Sequence, residues 1–234
     1  MKEKIYLLPG LMTDERLWSK LIPLLDDYEL IHLPLPHTCD FDQSVKQLNE
    51  QIEDEKINLL GFSLGGYTAC YFATKFPQKI KKLMLVAGTP SSMNEDEIEK
   101  RKLTLQQMNN LGFKGLSYKK TQSLLEESNR DNEELIALVQ DMFSSMGKDV
   151  YNVQMESTFK RDDIYKQLIS LKFPIKFFYS LNDRLINHES LKKIKKEHTN
   201  IEVISREGTS HMLPLETPEL LSDLIKSWIK ESSF

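Results

Sequence analysis

Ser63 stands in Gly61-Phe62-Ser63-Leu64-Gly65-Gly66, with one glycine two residues before it and another two residues after. The apolar run Ile57 to Leu60 leads into this segment, and a helical pattern from Tyr67 to Phe76, ended by Pro77, leads out of it. Small residues at those two positions allow a sharp strand-to-helix turn that lifts the hydroxyl above the carboxyl edge of a sheet. This is the setting of a serine nucleophile; the alternative is an ordinary glycine-rich turn. A serine hydroxyl is a weak nucleophile, so it needs a base within hydrogen-bond reach and a third group to orient that base.

The chain has five histidines. His32 and His37 flank an early strand, His198 sits among Lys195, Lys196 and Glu197 on a solvated helix end, and His188 follows a strand end but also reads as a polar residue of a first helical turn. His211 lies in Gly208-Thr209-Ser210-His211, the loop after the last strand, which puts it on the same edge as Ser63 and makes it the expected base. Asp183, in Ser180-Leu181-Asn182-Asp183 after the strand Ile175 to Tyr179, is the expected orienting acid, whereas Asp162 and Asp163 read as helix caps. A tetrahedral intermediate also needs two N–H donors for its oxyanion. Leu64, at the start of the helix after the serine, supplies one, and Leu11, in the Pro9-Gly10 loop after the first strand, is the choice for the other. Met12, Phe62, Leu185 and Met212 neighbour these positions and are expected to line a substrate pocket.

Such a site needs a sheet whose strands end on one edge. Six short apolar runs read as strands buried on both faces: Ile5 to Leu8, Leu30 to Leu33, Ile57 to Leu60, Leu83 to Val86, Ile175 to Tyr179 and Ile201 to Ile204. Helical patterns lie between most of them. One is capped by Thr13 with Trp18, Leu21, Ile22 and Leu25 on a stripe, one begins near Asp42, and the last follows Thr217 and Pro218. This alternation predicts an α/β fold with a mostly parallel sheet of about six strands flanked by helices. Residues 91–173 break the pattern, with no proline and repeated helical spacing, and read as an all-helical cap inserted into a core of residues 1–90 and 174–234.

Composition narrows the function. With 234 residues, 40% of them hydrophobic, the chain can bury a full core. A formal net charge of -4 offers no basic field for a phosphate backbone, so nucleic acid is not an expected partner. Cys39 and Cys70 form no metal-ligand or disulfide pattern, the apolar stretch before Pro9 is too short for a signal, and no run approaches a membrane span. A cytoplasmic protein needing no metal or organic cofactor is the expectation. The cap methionines Met93, Met108, Met142, Met146 and Met155 suit either an adaptable acyl cleft or ordinary core, and the lysines at 192, 193, 195 and 196 suit an acidic carrier or a solvated helix face.

The segments LLPGLM, GFSLGG, SLND and GTSHMLPLETPE resemble, in order and spacing over nearly the whole chain, the marker segments of the α/β-hydrolase superfamily. Pro214, Glu216 and Pro218 after His211 are similar to those of its small capped esterases. The order Ser63, Asp183, His211 is that of the superfamily. Pro9 stands where a His is common and Ser180 where a Gly is common; neither change removes a group of the triad. The first strands of the family are not seen before Ile5, which agrees with six strands. Ser63, where dehalogenase-like and epoxide-hydrolase-like relatives carry Asp, implies acyl transfer on small esters or thioesters. Non-hydrolytic chemistry (a lyase or acyl or peracid transfer) and a low-turnover ligand-binding protein are the rival readings.

Overall fold

The computed structural model describes residues 2–197 and 201–231. Each apolar run is a strand: β1 (Glu3–Leu8), β2 (Tyr28–His32), β3 (Ile57–Phe62), β4 (Ile80–Val86), β5 (Ile175–Ser180) and β6 (Ile201–Arg206). All pairings are parallel, in the order β2-β1-β3-β4-β5-β6. The helices are α1 (Phe41–Gln51), α2 (Leu64–Lys75), α3 (Glu95–Leu111), α4 (Tyr118–Gln122), α5 (Glu133–Phe159), α6 (Tyr165–Ile169), α7 (His188–Glu197), α8 (Leu213–Glu216) and α9 (Pro218–Lys230).

The two-residue period of the strands divides the core into two layers. Tyr6, Leu59, Leu83, Leu85 and Phe177 pack with Val45 and Leu48 of α1, Tyr67 and Phe72 of α2, and Leu191 and Ile194 of α7. Their sequence neighbours Ile5, Leu7, Leu60, Met84, Val86 and Phe178 face the other way, onto Trp18, Val139, Leu221, Ile225 and Trp228. The strand order reverses between β1 and β3, so the loops leaving those two strands diverge and open a crevice at the carboxyl edge.

The first helix expected from the sequence does not form. Two short 3-10 turns, Glu15–Trp18 and Ile22–Leu24, take its place. The Thr13 hydroxyl, expected as the cap, accepts the Gly10 N–H at 2.8 Å, and Asp14 caps instead by accepting the Arg16 N–H at 3.0 Å. Pro23, which lacks an N–H, cannot continue an α-helix from the preceding turn. Trp18, Leu21 and Leu25 are buried as expected, but Ile22 is 50% exposed.

Between β4 and β5 the chain is helical, from α3 to α6. Gly147, at φ 81° and ψ 175°, breaks α5 in two. The first half sends Leu135, Ile136, Val139 and Met142 into the sheet layer. Tyr151 and Met155 of the second half form a separate cluster with Met12, Leu105 and Phe143, against which Leu11 packs.

Two lysines in strands are buried for a reason that periodicity does not show. Lys82 of β4, 1% exposed, donates to the Trp228 and Ile229 carbonyls at 2.7 and 2.6 Å and also to that of Glu231. These are carbonyls at the end of α9, where a positive charge meets the negative pole of the helix. Lys176 of β5 pairs with Glu202 at 2.8 Å and Glu231 at 2.7 Å. Replacing Lys82 by Met leaves those helix-end carbonyls without their donor, and the variant should lose about 1–3 kcal/mol of stability. Urea unfolding checks this: a lower midpoint at unchanged slope is expected, and an unchanged midpoint would show that water replaces the lysine at no cost.

Candidate active site

The turn after β3 places Ser63. The serine adopts φ 52° and ψ -114°, a conformation that costs a non-glycine residue about 1–3 kcal/mol and persists only where its surroundings impose it. Its N–H donates to the Val86 carbonyl at 2.9 Å and its carbonyl accepts the Tyr67 N–H at 3.2 Å. Gly65 makes the turn possible by close approach: a Cβ there would lie 2.2 Å from the Pro9 carbonyl oxygen and 2.5 Å from that of Leu8. Helix α2 therefore starts directly against the loop after β1.

Met12, at φ 54°, and Ala87, at φ 48°, are the other described non-glycine residues with positive φ. They follow β1 and β4, so all three strained residues sit on the carboxyl edge. Met12 is held by its N–H, which donates to Oε1 of buried Gln154 at 2.7 Å.

The sequence-predicted groups meet at this edge. His211 Nε2 lies 3.0 Å from Ser63 Oγ, and His211 Nδ1 lies 2.6 Å from Asp183 Oδ2. A carboxylate only accepts, so the imidazole proton belongs on Nδ1, and Nε2 is left to accept from the serine. Asp183 is 1% exposed, and its Oδ1 accepts the Leu185 N–H at 2.9 Å. The Phe62 ring packs 5.2 Å from the imidazole, centroid to centroid. Such an arrangement can pass a proton from hydroxyl to imidazole beside a fixed negative charge. Leu64 occupies the first position of α2, where an N–H has no acceptor one turn back, and the Leu11 N–H donates to no protein group among the described residues.

Segments far apart in the chain hold the His211 loop. The His211 N–H donates to the Leu124 carbonyl at 2.8 Å. Glu126 accepts the Thr209 N–H at 3.0 Å and pairs with Arg206 at 2.6 Å. Glu216 accepts the Glu126 N–H and Asn129 Nδ2, both at 2.9 Å, and bonds the Ser210 hydroxyl. Burial opposes charge on both carboxylates. At Glu126 the bonds from Arg206 and Thr209 outweigh burial and hold the pKa below its ordinary value, while at Glu216 burial prevails and raises it.

The remaining candidates lie elsewhere. His188 Nε2 is 2.6 Å from the Asp183 carbonyl oxygen, so it touches the main chain of that loop rather than Ser63. His32 is half-buried beside the Trp18 indole, His37 is exposed, and His198 lies outside the described residues. Asp163 accepts the Tyr165 N–H at 2.9 Å, as a helix cap does. Among the four expected pocket residues, Met12 joins the cluster with Tyr151 and Met155, and Phe62 and Met212 belong to the sheet layer. Leu185 joins no cluster; it is 41% exposed, because its turn spends its N–H on Asp183 and leaves the side chain outside. Of the cap methionines, Met142 is fully buried core, while Met108, Met146 and Met155 surround the cluster on Met12. Among the described residues no group of three His, Cys, Asp or Glu is placed to hold a metal ion, and no helix is long and apolar enough to cross a membrane. Sequence reasoning missed Gln154, Glu126 and the arginines Arg101 and Arg161, which carry no local motif.

A family model described as alpha/beta hydrolase fold matches residues 8–218. The pimeloyl-[acyl-carrier protein] methyl ester esterase of Aeromonas hydrophila is 29% identical over 40% of this chain and 41% of its own. A putative 2-succinyl-6-hydroxy-2,4-cyclohexadiene-1-carboxylate synthase of Haemophilus influenzae is 22% identical over 96% of both chains. The chain spans only 28% and 18% of the length of two curated relatives that it matches at 31% identity. Among solved structures, a thermophilic esterase from Thermogutta terrifontis superposes with a TM-score of 0.84 at 20% identity, over 98% of this chain and 90% of that one.

The Glu216 carboxyl is the centre of the loop clamp, and its raised pKa sets the sign of its pH effect. A group whose pKa is raised by folding contributes stability below its unfolded value and loses it as pH rises through the folded value. On acidification from pH 7, the wild type should therefore gain stability relative to Glu216→Gln. Glu216→Ala, which strands the Glu126 N–H and Asn129, should cost about 1–3 kcal/mol at pH 7. Urea titrations of the three proteins at pH 5 and 7 measure both effects, and a wild type that loses ground to Glu216→Gln in acid would contradict them.

Proposed function

The chain belongs to the alpha/beta hydrolase fold family, and from that premise we propose that it is a serine hydrolase acting on a small carboxylic ester or thioester. The observation that carries this reading is the unbroken hydrogen-bond line from Ser63 Oγ through His211 to buried Asp183. In this mechanism His211 Nε2 takes the Ser63 proton as Oγ attacks the carbonyl carbon. Asp183 holds Nδ1–H and stabilises the imidazolium that forms. Negative charge gathers on the carbonyl oxygen, where the Leu64 and Leu11 N–H groups receive it. His211 returns the proton to the departing alcohol or thiol, leaving an acyl group on Ser63. Water, deprotonated by the same imidazole, then releases the acid and restores the serine. Residues 91–173 serve as the cap, and the cluster of Met12, Tyr151 and Met155 as an apolar wall for the acyl chain. No step calls for a metal or organic cofactor. The similarity to a methyl ester esterase supports an ester substrate.

A second reading uses the same groups for a non-hydrolytic reaction, favoured by one observation: the relative aligned along nearly the whole chain is named a synthase. Turnover in 18O-labelled water separates the two, because hydrolysis puts one labelled oxygen into the acid product and elimination puts in none.

Intact-mass analysis after treatment with a fluorophosphonate tests the nucleophile without knowledge of the substrate. A single adduct is expected on the wild type, with none on Ser63→Ala or His211→Ala. Once an ester substrate is found, either substitution should lower kcat on the order of 10⁶-fold. A variant retaining activity within about tenfold of wild type would remove that residue from the mechanism.

A further inference from the structure

Two arginines lie within electrostatic reach of each other and pair with no carboxylate among the described residues. Arg161, between α5 and α6, stacks its guanidinium 4.6 Å over the Tyr67 ring and donates through Nη2 to the Ser91 carbonyl at 2.7 Å. Its buried Nε has no hydrogen-bond partner. Arg101, half-buried on α3, makes no ion pair among the described residues. Burial is the main force lowering the pKa of both, Arg161 to about 10, and at Arg161 the charge of Arg101 adds to it. Glu97, one turn before Arg101, acts on both from an exposed position but pairs with neither.

Arg161 is joined to the serine through residues that touch Ser63, and Arg101 to the cluster beside the loop after β1. Tyr67, under Arg161, lies one helical turn from Ser63 and donates its N–H to the Ser63 carbonyl. Gly88 lies so close to Ser63 that a Cβ there would be 3.0 Å from the same oxygen, and the carbonyls that hold Arg161 follow it at 89 and 91. Arg101 acts electrostatically on Tyr151, a member of the cluster on which Leu11 and Met12 pack.

We propose that Arg161 and Arg101 bind a carboxylate carried by the acyl part of the substrate, so that the preferred substrate is a half-ester or half-thioester of a dicarboxylic acid. Merely tying α6 to the core would use few of Arg161's donors and would not require a second guanidinium beside it. Two desolvated cations raise each other's cost, and an anion between them removes it. A carboxylate matches the paired donors of a guanidinium, and the apolar cluster around Met12 accommodates methylenes between that carboxylate and the carbonyl under attack.

The substrate class rests on the serine-hydrolase reading, but carboxylate binding does not, and the test separates them. In the first arm kcat/KM is measured for p-nitrophenyl hydrogen glutarate and for neutral p-nitrophenyl hexanoate. The wild type should favour the anionic ester through a lower KM, and Arg101→Gln and Arg161→Gln should each reduce that preference about tenfold or more. Arg161→Lys serves if Arg161→Gln does not fold, and Lys119→Gln, on the exposed face of α4, controls for overall charge. In the second arm glutarate should raise the melting temperature of Ser63→Ala protein but not of Ser63→Ala/Arg101→Gln. Equal preference in wild type and arginine variants, or no shift with glutarate, overturns the carboxylate site. A glutarate shift without turnover of either ester upholds the site and counts against the hydrolase reading instead.

Discussion

The strained turn at Ser63 is the constraint that the neighbouring structure serves. Its φ of 52° is unfavourable for serine, so the energy that holds it comes from elsewhere. Part comes from β4, whose Val86 carbonyl accepts the Ser63 N–H, and part from the first turn of α2. The rest is steric. Gly65 lets α2 press against the Leu8 and Pro9 carbonyls, and Gly61 lets β3 pass under Gly65 and Gly66, where a Cβ would come within 2.3 Å of the Gly65 oxygen. The same contact fixes the loop after β1 relative to the serine. The Ser63 hydroxyl and the Leu64 and Leu11 N–H groups are thus positioned by one packing event rather than two.

His211 is held differently. The His211 loop follows an edge strand, β6, and cannot be braced by strands on both sides. Its bracing comes from the helical segment between β4 and β5. Leu124 accepts the His211 N–H, the Glu126 carboxylate binds Thr209, and the Glu216 carboxylate binds Ser210, Asn129 and the Glu126 N–H. That segment therefore helps set the position of the imidazole beside Ser63. A shift of Leu124 to Asn129 away from the sheet would move the imidazole relative to Ser63.

Local patterns of the sequence reveal the sheet and the residues 63, 183 and 211 that meet at its edge because each depends on local chemistry. Short β-branched and leucine-rich runs between helical stripes read directly as buried parallel strands, and the glycines around Ser63 mark the turn. Asp183 and His211 could be placed because both follow strands, and in a parallel sheet strand ends share one edge. The failures have physical reasons too. The stripe from Trp18 to Leu25 has the period of a helix, but Pro23 and the diversion of the Thr13 hydroxyl to Gly10 reduce it to 3-10 turns. Nearness along the chain to Asp183 suggests Leu185 as a pocket residue, while the turn that bonds the Asp183 carboxylate leaves its side chain exposed. Gln154 supports Met12 from 142 residues away, a partnership with no sequence signature.

The charges inside the protein show why the two arginines differ from its other buried cations. Lys82 is surrounded by the carbonyls that end α9, and Lys176 by two carboxylates. Arg206 has Glu126. In each case burial, which disfavours charge, is met by a partner built into the fold. Arg161 has main-chain carbonyls and the face of Tyr67 but no anion among the described residues, and Arg101 adds a second positive charge within electrostatic reach. A purely structural role would be served by the arrangement seen at Lys176. A site that must accept an anion and then release it cannot keep a resident carboxylate, because that carboxylate would compete with the ligand for the same donors. The absence, among the described residues, of an ion pair at Arg101 and Arg161 is therefore the form that the proposed reusable anion site would take.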